Sequence, residues 1–241
     1  MEGGPLEETI TIVMPYYENG GMLDRHIQEW NLYPVAFKPY LKAVIVDDGS
    51  PKDPAIRHIQ DVGFPIRLFR IKEDVAWGQD RARNLAMKHT EGLCLLTDMD
   101  HLLPVDCLKN LFSLKWSKDT AYRPLRKKVG GDWYKRHPNT YLLYHKLYWK
   151  VGGMDEAFLG WYGSDSVFKR ALKHLAKVDG TDAFWLVLYG RDDIKDASTN
   201  PETYGRKKSS FAVCRNPKLL ARRKKQVSPL VTDNYEWERL L

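Results

Sequence analysis

The 241-residue chain reads as an α/β protein, a mostly parallel sheet with helices on both faces. Three observations predict this. Short apolar runs alternate with segments of helical periodicity through the first half. The connections between them are short. The runs end in polar clusters, where ligands of open α/β sheets bind, outside the carboxyl ends of the strands.

Residues 9–14 alternate into an apolar strand that Pro15 should terminate. Leu23, Ile27 and Trp30 then recur at helical spacing behind Gly20-Gly21. Residues 42–46 form a second strand that runs into Asp47-Asp48-Gly49-Ser50-Pro51, a turn cluster. Ile66–Ile71 is a third strand. Gln79–Lys88 reads as a helix with Ala82, Leu85 and Ala86 on one face. Leu93–Leu96 is a fourth strand, with a helix over 104–114 behind it. The second half is rich in aromatic and basic residues between Trp116 and Trp149. It then carries glycines at 152, 153, 160 and 163, which let the backbone turn tightly, and a helix over 166–176. No internal repeat is visible, and the stretch near 206–229 reads as a flexible, charge-rich segment.

With 43% hydrophobic and 29% charged residues, the composition is that of an ordinary globular protein. The longest apolar stretches, such as 183–189, fall far short of the ~18 residues needed to span a bilayer, so no integral membrane association is expected. The acidic N-terminus has no apolar core of a signal peptide. Cys94, Cys107 and Cys214 are odd in number and lack metal-ligand spacing, which fits a reducing cytoplasm (the host's, if the chain is viral). The net charge of +7 is clumped at Arg123, Arg126, Lys127, Lys128, Lys135 and Arg136, at Arg206, Lys207 and Lys208, and at Arg222, Arg223, Lys224 and Lys225. Clumped cations suit a polyanionic partner: nucleic acid, an anionic membrane surface or a diphosphate substrate. A solvated basic surface is the simpler alternative.

Asp98 and Asp100 lie where the Leu93–Leu96 strand runs out. Side chains two apart on an extended chain point the same way, so the two carboxylates form a hard oxygen pair. Such a pair suits Mg²⁺ or Mn²⁺, completed by substrate phosphates, although a lone Asp-x-Asp also reads as a solvated turn. Asp165 falls at a helix start, where the helix dipole favours a carboxylate, and on local grounds it reads equally as a cap.

Five segments, in order, resemble the family 2-like glycosyltransferases of the GT-A fold over about residues 8 to 200. Thr11-Ile12-Val13-Met14-Pro15-Tyr16-Tyr17 resembles the strand that opens onto the nucleotide pocket. Val46-Asp47-Asp48-Gly49-Ser50 is similar to the second-strand motif whose acid bonds the base, and Asp98-Met99-Asp100 to the metal-binding Asp-x-Asp. Trp77-Gly78-Gln79-Asp80-Arg81-Ala82-Arg83-Asn84 resembles the helix that braces the donor. Gly152 to Asp165 resembles the acceptor-side motif that ends in Glu-Asp.

The resemblance implies a Rossmann-like GT-A domain over 1–204, with a nucleotide-sugar-binding half (8–104) and a smaller acceptor-side half (105–204), followed by a basic C-terminal loop or tail over 205–241. It implies a nucleotide-sugar donor, a UDP-sugar before others, bound by Pro15, Tyr16, Tyr17, Glu18, Asp47, Asp48, Gly78, Gln79, Arg83, Asn84, Asp98 and Trp161. It implies Mn²⁺ or Mg²⁺ on Asp100, with Asp98 and Asp192 as further ligands, and Asp165 as the base of an inverting transfer. Arg83 and a closing loop with Arg206, Lys207 or Lys208 would supplement the cation.

Two departures stand out. Ser164 replaces the Glu of the Glu-Asp pair, and the strand near 188 ends without the histidine that relatives often supply to the metal. Asp192 or Asp193 is the expected substitute there, and His101 another. The missing span and the aromatic-basic middle section lean the acceptor toward a hydroxymethylated pyrimidine in DNA, as in some bacteriophage enzymes. A polysaccharide or lipid-linked glycan is the alternative acceptor, and a non-catalytic nucleotide-sugar-binding protein the alternative of another class. No protein partner is inferred.

Overall fold

A computed structural model describes residues 8–161, 163–195, 216–224 and 228–241. The first half is β1 (Ile10–Tyr16), α1 (Gly20–Leu32), β2 (Leu41–Asp47), β3 (Ile66–Ile71), α2 (Gln79–Lys88) and β4 (Leu93–Leu96). There follow β5 (His101–Leu102), α3 (Leu108–Ser113), β6 (Thr120–Lys128), β7 (Trp133–Tyr134), β8 (Tyr141–Tyr144) and α4 (His145–Lys150). The last elements are α5 (Asp165–Leu175), β9 (Lys177–Leu188), α6 (Pro217–Lys224) and β10 (Trp237–Arg239).

One sheet runs through all of them in the order β10-β3-β2-β1-β4-β8-β6-β9-β5, with β7 on β6. β3, β2, β1 and β4 are parallel, as expected. Beyond β4 the sheet becomes mixed: β8 and β6 are antiparallel neighbours, and β9 runs parallel to β6. Because β8 pairs with β4, the two sequence halves share one sheet.

Alternation along β1 explains the two cores. Ile10, Ile12, Met14 and Tyr16 face α1, where Met22, Leu23, Ile27 and Trp30 cover them. Val13 faces the other way, into a core with Ala82, Leu85 and Ala86 of α2, Leu147 and Tyr148 of α4, and Phe168 and Leu172 of α5. Strands buried on both faces read as continuous apolar runs, which made β1, β2 and β4 visible in sequence. Cys94 and Cys107 are buried free thiols; Cys214 lies outside the described residues.

Three expectations need correction. Pro15 does not end β1, which continues to Tyr16 opposite Asp47. The β1–β4 pairing stops at Val13, so the N–H that Pro15 lacks would point where β4 has already left the sheet. Residues 104–114 form a 3₁₀ turn over Val105–Cys107 before the short α3. The described part of 205–241 is no tail. α6 packs on α5, and β10 pairs with the free edge of β3, its Trp237 ring 5.7 Å from that of Phe69. An uncovered β3 edge would leave its backbone groups unpaired, which the chain end prevents. Among the described residues no helix is long and apolar enough to cross a membrane.

Candidate active site

The ends of β1, β2 and β4 and the start of α2 meet on one rim. The loop after β2 is held by acids that sequence alone had assigned to a nucleotide. Asp47 is fully buried and accepts the N–H of Ser50 (2.8 Å) on one oxygen and that of Ala55 (2.9 Å) on the other. Burial pushes its carboxyl up, and these two bonds pull against it. Glu18, with φ of 47°, accepts the N–H groups of Lys52 and Asp53 at 2.8 and 3.0 Å. The buried Tyr16 hydroxyl donates to the Asp53 carbonyl, 2.6 Å. These three side chains therefore shape the loop. Asp48 instead sits against Gly78, where a Cβ would lie 2.4 Å from Asp48 Oδ1. The second-strand acid and the glycine before α2 thus share one wall. Pro15 is buried at the end of β1, and the partly exposed Tyr17 follows on the rim.

Arg83 and Asn84, adjacent on α2, face different partners. The Arg83 guanidinium is 1% exposed, pairs with Asp98, lies 3.5 Å from Asp80, and reaches the Gln79 side chain at 3.4 Å. Its charge is therefore matched by two carboxylates, and it orders Asp98. Asp80, buried beside Ser164, has its carboxyl pushed up to about 6 by burial against the pull of Arg83. The line from the partly exposed Asp98 through the buried Arg83, Asp80 and Ser164 thus leads from the Asp-x-Asp to the start of α5 and to Asp165, which is partly exposed as the first residue of that helix.

Asn84 has no exposure and makes four bonds. Its amide donates to Met154 O (3.0 Å) and Glu156 Oε1 (2.8 Å); its oxygen accepts from Tyr148 and from Met154 N (2.9 Å). Nothing is left to offer a donor, so Asn84 braces the glycine motif. Gly153 (φ +72°) must be glycine, because a Cβ would lie 2.9 Å from Asn84 Oδ1. The acids of that motif hold the chain end. Asp155, fully buried, takes a forked pair from Arg222 (2.7 and 3.0 Å) and the N–H of Leu230. Glu156 accepts from the N–H and hydroxyl of Thr232. Trp161 is half-exposed and packs with Phe158, Val167 and Leu219.

The rest of the site comes from the antiparallel half. His101 is 1% exposed, with Nδ1 2.6 Å from Asp100 Oδ1 and Nε2 2.8 Å from Arg126 Nη1. His137 lies 3.6 Å from Asp98 through Nε2, and its ring is 4.4 Å from that of His101. Burial would raise the Asp98 carboxyl, but Arg83, His137 and His101 outweigh it and hold it below the ordinary range. Both ring nitrogens of His101 are thus engaged, which sets it as the orienter of Asp100 rather than an open ligand. His145 accepts from Trp149 Nε1 (3.0 Å), a structural role.

Asp100 is 43% exposed, a carboxylate aimed by an imidazole and open to solvent. That hard oxygen donor fits Mn²⁺ or Mg²⁺ better than any softer ion. Asp98 is tied to Arg83. Asp192 sits exposed on the turn after β9, a turn that begins beside Asp100 because Tyr189 N donates to the Asp100 carbonyl (3.0 Å). Asp193 accepts from Gly190 N (2.7 Å). Among the described residues no three His, Cys, Asp or Glu side chains are gathered to hold a metal. The cation would therefore rest on Asp100 and the donor's own phosphates. Arg206, Lys207 and Lys208 lie outside the described residues, as does Lys225.

Sequence reasoning missed Arg126 and His137 as site residues. They come 26 and 37 positions after Asp100, and no spacing rule links them to it. The hairpin of β6 and β8 beside β4 is what brings them back.

Residues 11–172 match the family described as Glycosyl transferase family 2. No curated protein matches the chain. Among solved structures, S. aureus TarS 1-349 in complex with UDP-GlcNAc is similar at TM-score 0.63 and 14% identity, over 82% of this chain and 64% of that one. GalNAc-T7 with UDP, GalNAc and Mn2+ is similar at TM-score 0.59 and 13% identity, over 76% of this chain and 44% of that one. The mannosyltransferase PcManGT from Pyrobaculum calidifontis, in complex with GDP-Man and Mn2+, is similar at TM-score 0.57 and 15% identity, over 93% of this chain and 67% of that one. The chain spans 64% of the TarS chain and 44% of the GalNAc-T7 chain.

Proposed function

Because the chain belongs to glycosyl transferase family 2, we propose that it transfers a sugar from a nucleoside-diphosphate-sugar to an acceptor hydroxyl with inversion. The observation that carries this is the rim itself: Asp100 aimed by His101, Asp98 held by Arg83, and Asp48 against Gly78, all at the carboxyl ends of parallel strands. Neighbours with UDP-GlcNAc and GDP-Man support a nucleotide-sugar donor. Asp48, Gly78 and Tyr17 take the base side, and Asp100 the diphosphate side. A divalent cation on Asp100, when bound, neutralises the leaving diphosphate.

Asp165 is the general base. It accepts the acceptor's proton as that oxygen attacks the anomeric carbon, and the bonding pair of the broken C–O bond leaves with the diphosphate. Trp161 and the glycines at 160 and 163 flank Asp165 in sequence and line the acceptor side. Ser164 stands where the resemblance implies Glu; its bond to Asp80 ties the base to the line that reaches Asp98.

The acceptor we propose is a hydroxymethylated pyrimidine in DNA. Its support is an excess of lysine over acid on the β6–β7 hairpin beside Arg126. The test is transfer of labelled sugar from a panel of nucleotide sugars, with and without Mn²⁺, to duplexes with hydroxymethylcytosine, hydroxymethyluracil or ordinary bases. Incorporation that needs the hydroxymethyl group and the metal supports the reading. Transfer to a glycan and to no DNA would leave sugar transfer standing and remove the DNA acceptor. Binding of donor with neither transfer nor hydrolysis would support a non-catalytic protein.

A further inference from the structure

On β7, neighbouring side chains point to opposite faces. Trp133 sits opposite Lys127 and is 55% exposed, but its ring is already engaged, edge-on with Trp185 and with Lys127 Nζ 4.5 Å from its centroid. Tyr134 sits opposite Arg126 and is 39% exposed. Three cations crowd its ring: Arg126 Cζ at 5.0 Å, Lys128 Nζ at 5.1 Å and Lys135 Nζ at 5.8 Å from the centroid. The ring's quadrupole attracts each of them and neutralises none.

No ion pair among the described residues includes Lys128 or Lys135. Lys128 and Lys135, gathered on one ring with no ion pair of their own, are stabilised by an added anion. The position matters as well. Arg126 Nη1 reaches His101, and His101 reaches Asp100, so Tyr134 stands one guanidinium away from the candidate site.

We propose that the Tyr134 face of the β6–β7 hairpin is the acceptor-strand subsite, where the ring stacks an unpaired nucleotide base and Lys128 and Lys135 hold the flanking phosphates. This rests on the DNA-acceptor reading above and adds the surface that performs it. A flat aromatic ring flanked by two unpaired lysines suits a strand that offers both a base face and phosphates. A neutral glycan would leave the lysines unused. A base inside a duplex cannot lie on Tyr134, so the strand must present it extruded or single-stranded.

The experiment is fluorescence anisotropy with a labelled thymidine 12-mer on the full chain, with inorganic polyphosphate and dextran as competitors. Tyr134→Ala should weaken oligonucleotide binding about tenfold, the size of one lost stacking contact, and Tyr134→Phe should retain it. Lys128→Ala with Lys135→Ala should flatten the slope of log affinity against log salt by roughly 1.4, two phosphate contacts on a single strand. Polyphosphate should compete weakly and dextran not at all.

Equal binding by wild type and Tyr134→Ala overturns the subsite. If wild type still transfers sugar to DNA, the acceptor reading survives that result. A wild type that neither binds the 12-mer nor modifies DNA removes both. Should Tyr134→Ala melt early, a 5-bromodeoxyuridine strand crosslinked to wild type decides instead. A crosslink in the Tyr134 peptide supports the subsite, and one elsewhere overturns it.

Discussion

Arg126 fixes the tautomer of His101. Its Nη1 lies 2.8 Å from His101 Nε2, and a guanidinium has donors and no acceptor, so the imidazole proton sits on Nδ1, where it meets Asp100 Oδ1 at 2.6 Å. Asp100 is thereby aimed before any ligand arrives. Asp100→Ala should abolish metal-stimulated donor binding and lower transfer roughly a thousandfold or more. His101→Ala leaves the carboxylate in place but unoriented, and should weaken Mn²⁺ binding by about 10–100-fold. Titration calorimetry of a nucleotide sugar with and without Mn²⁺ measures both. Wild-type affinity in Asp100→Ala, or full activity after EDTA, would refute the metal assignment.

Asp165 opens α5 next to Ser164, at the far end of the line from Asp98 through Arg83 and Asp80. Asp165→Asn keeps the shape and removes the base. Turnover should fall ~10²–10⁴-fold while the donor KM changes little. The anomeric configuration of the product checks the same role by another route: retention of the donor's configuration would exclude an inverting base.

Asn84 should be the most costly single polar truncation on α2. Asn84→Ala strands the Tyr148 hydroxyl proton, the Met154 carbonyl and one oxygen of Glu156 at once, while Met154 N–H keeps the Tyr148 oxygen at 3.2 Å. Groups left unpaired in the interior cost ~1–3 kcal/mol each, so the variant should lose at least ~3 kcal/mol of stability. Urea unfolding monitors it. A loss below 1 kcal/mol, on the order of one exposed bond, would mean that water replaces the lost partners.

How far the sequence revealed all this depends on which residues carried a period. The buried strands and α2 were legible because both faces of Leu93–Leu96 are apolar and Ala82, Leu85 and Ala86 recur on one side of Gln79–Lys88. Asp98 and Asp100 were legible as a pair because strand alternation is local. Their partners were not, since Arg126 and His137 reach them across strands far along the chain. Asp47 shows the opposite failure. A motif acid looked ligand-facing, yet both its oxygens bond the loop that follows. The chain end misled for a third reason: a basic stretch carries no pattern that announces docking, and Arg222 docks through charge on Asp155.

That docking changes what a charge-reversal experiment measures. Sequence alone grouped Arg222 with Arg223, Lys224 and Lys225 as a free basic patch. Arg222 instead neutralises the fully buried Asp155, and Arg223 bonds Ser166 Oγ (3.2 Å). Arg222→Glu would bury two unmatched carboxylates together, and breaking such a pair costs roughly 3–5 kcal/mol. The variant should therefore melt well below wild type, whatever it does to DNA binding. Lys224→Glu, on an exposed end of α6, should melt near wild type. Equal melting temperatures for the two variants would show that the Asp155 clamp contributes little.

Acid should destabilise the fold through His26. Its ring is 1% exposed, Nε2 donates to the Met99 carbonyl at 2.8 Å, and Nδ1 has no hydrogen-bond partner among the described residues. Burial first, against a bond to Met99 and the field of Asp100, pushes the imidazole from 6.5 down to about 4. The folded state thus keeps this ring neutral where the unfolded chain already binds a proton. His26 contributes its full share of stability above pH 6.5, and the share falls as pH drops toward 4. Over that window the loss approaches about 3 kcal/mol. His137, also lowered by burial to about 4, adds to the same slope, so wild type alone cannot apportion it. His26→Gln retains an N–H for Met99 and has no proton to gain. Its urea midpoint should fall less than that of wild type between pH 7.5 and pH 5, a difference that grows as pH approaches 4. Parallel midpoints for the two proteins across that range would place the acid sensitivity elsewhere.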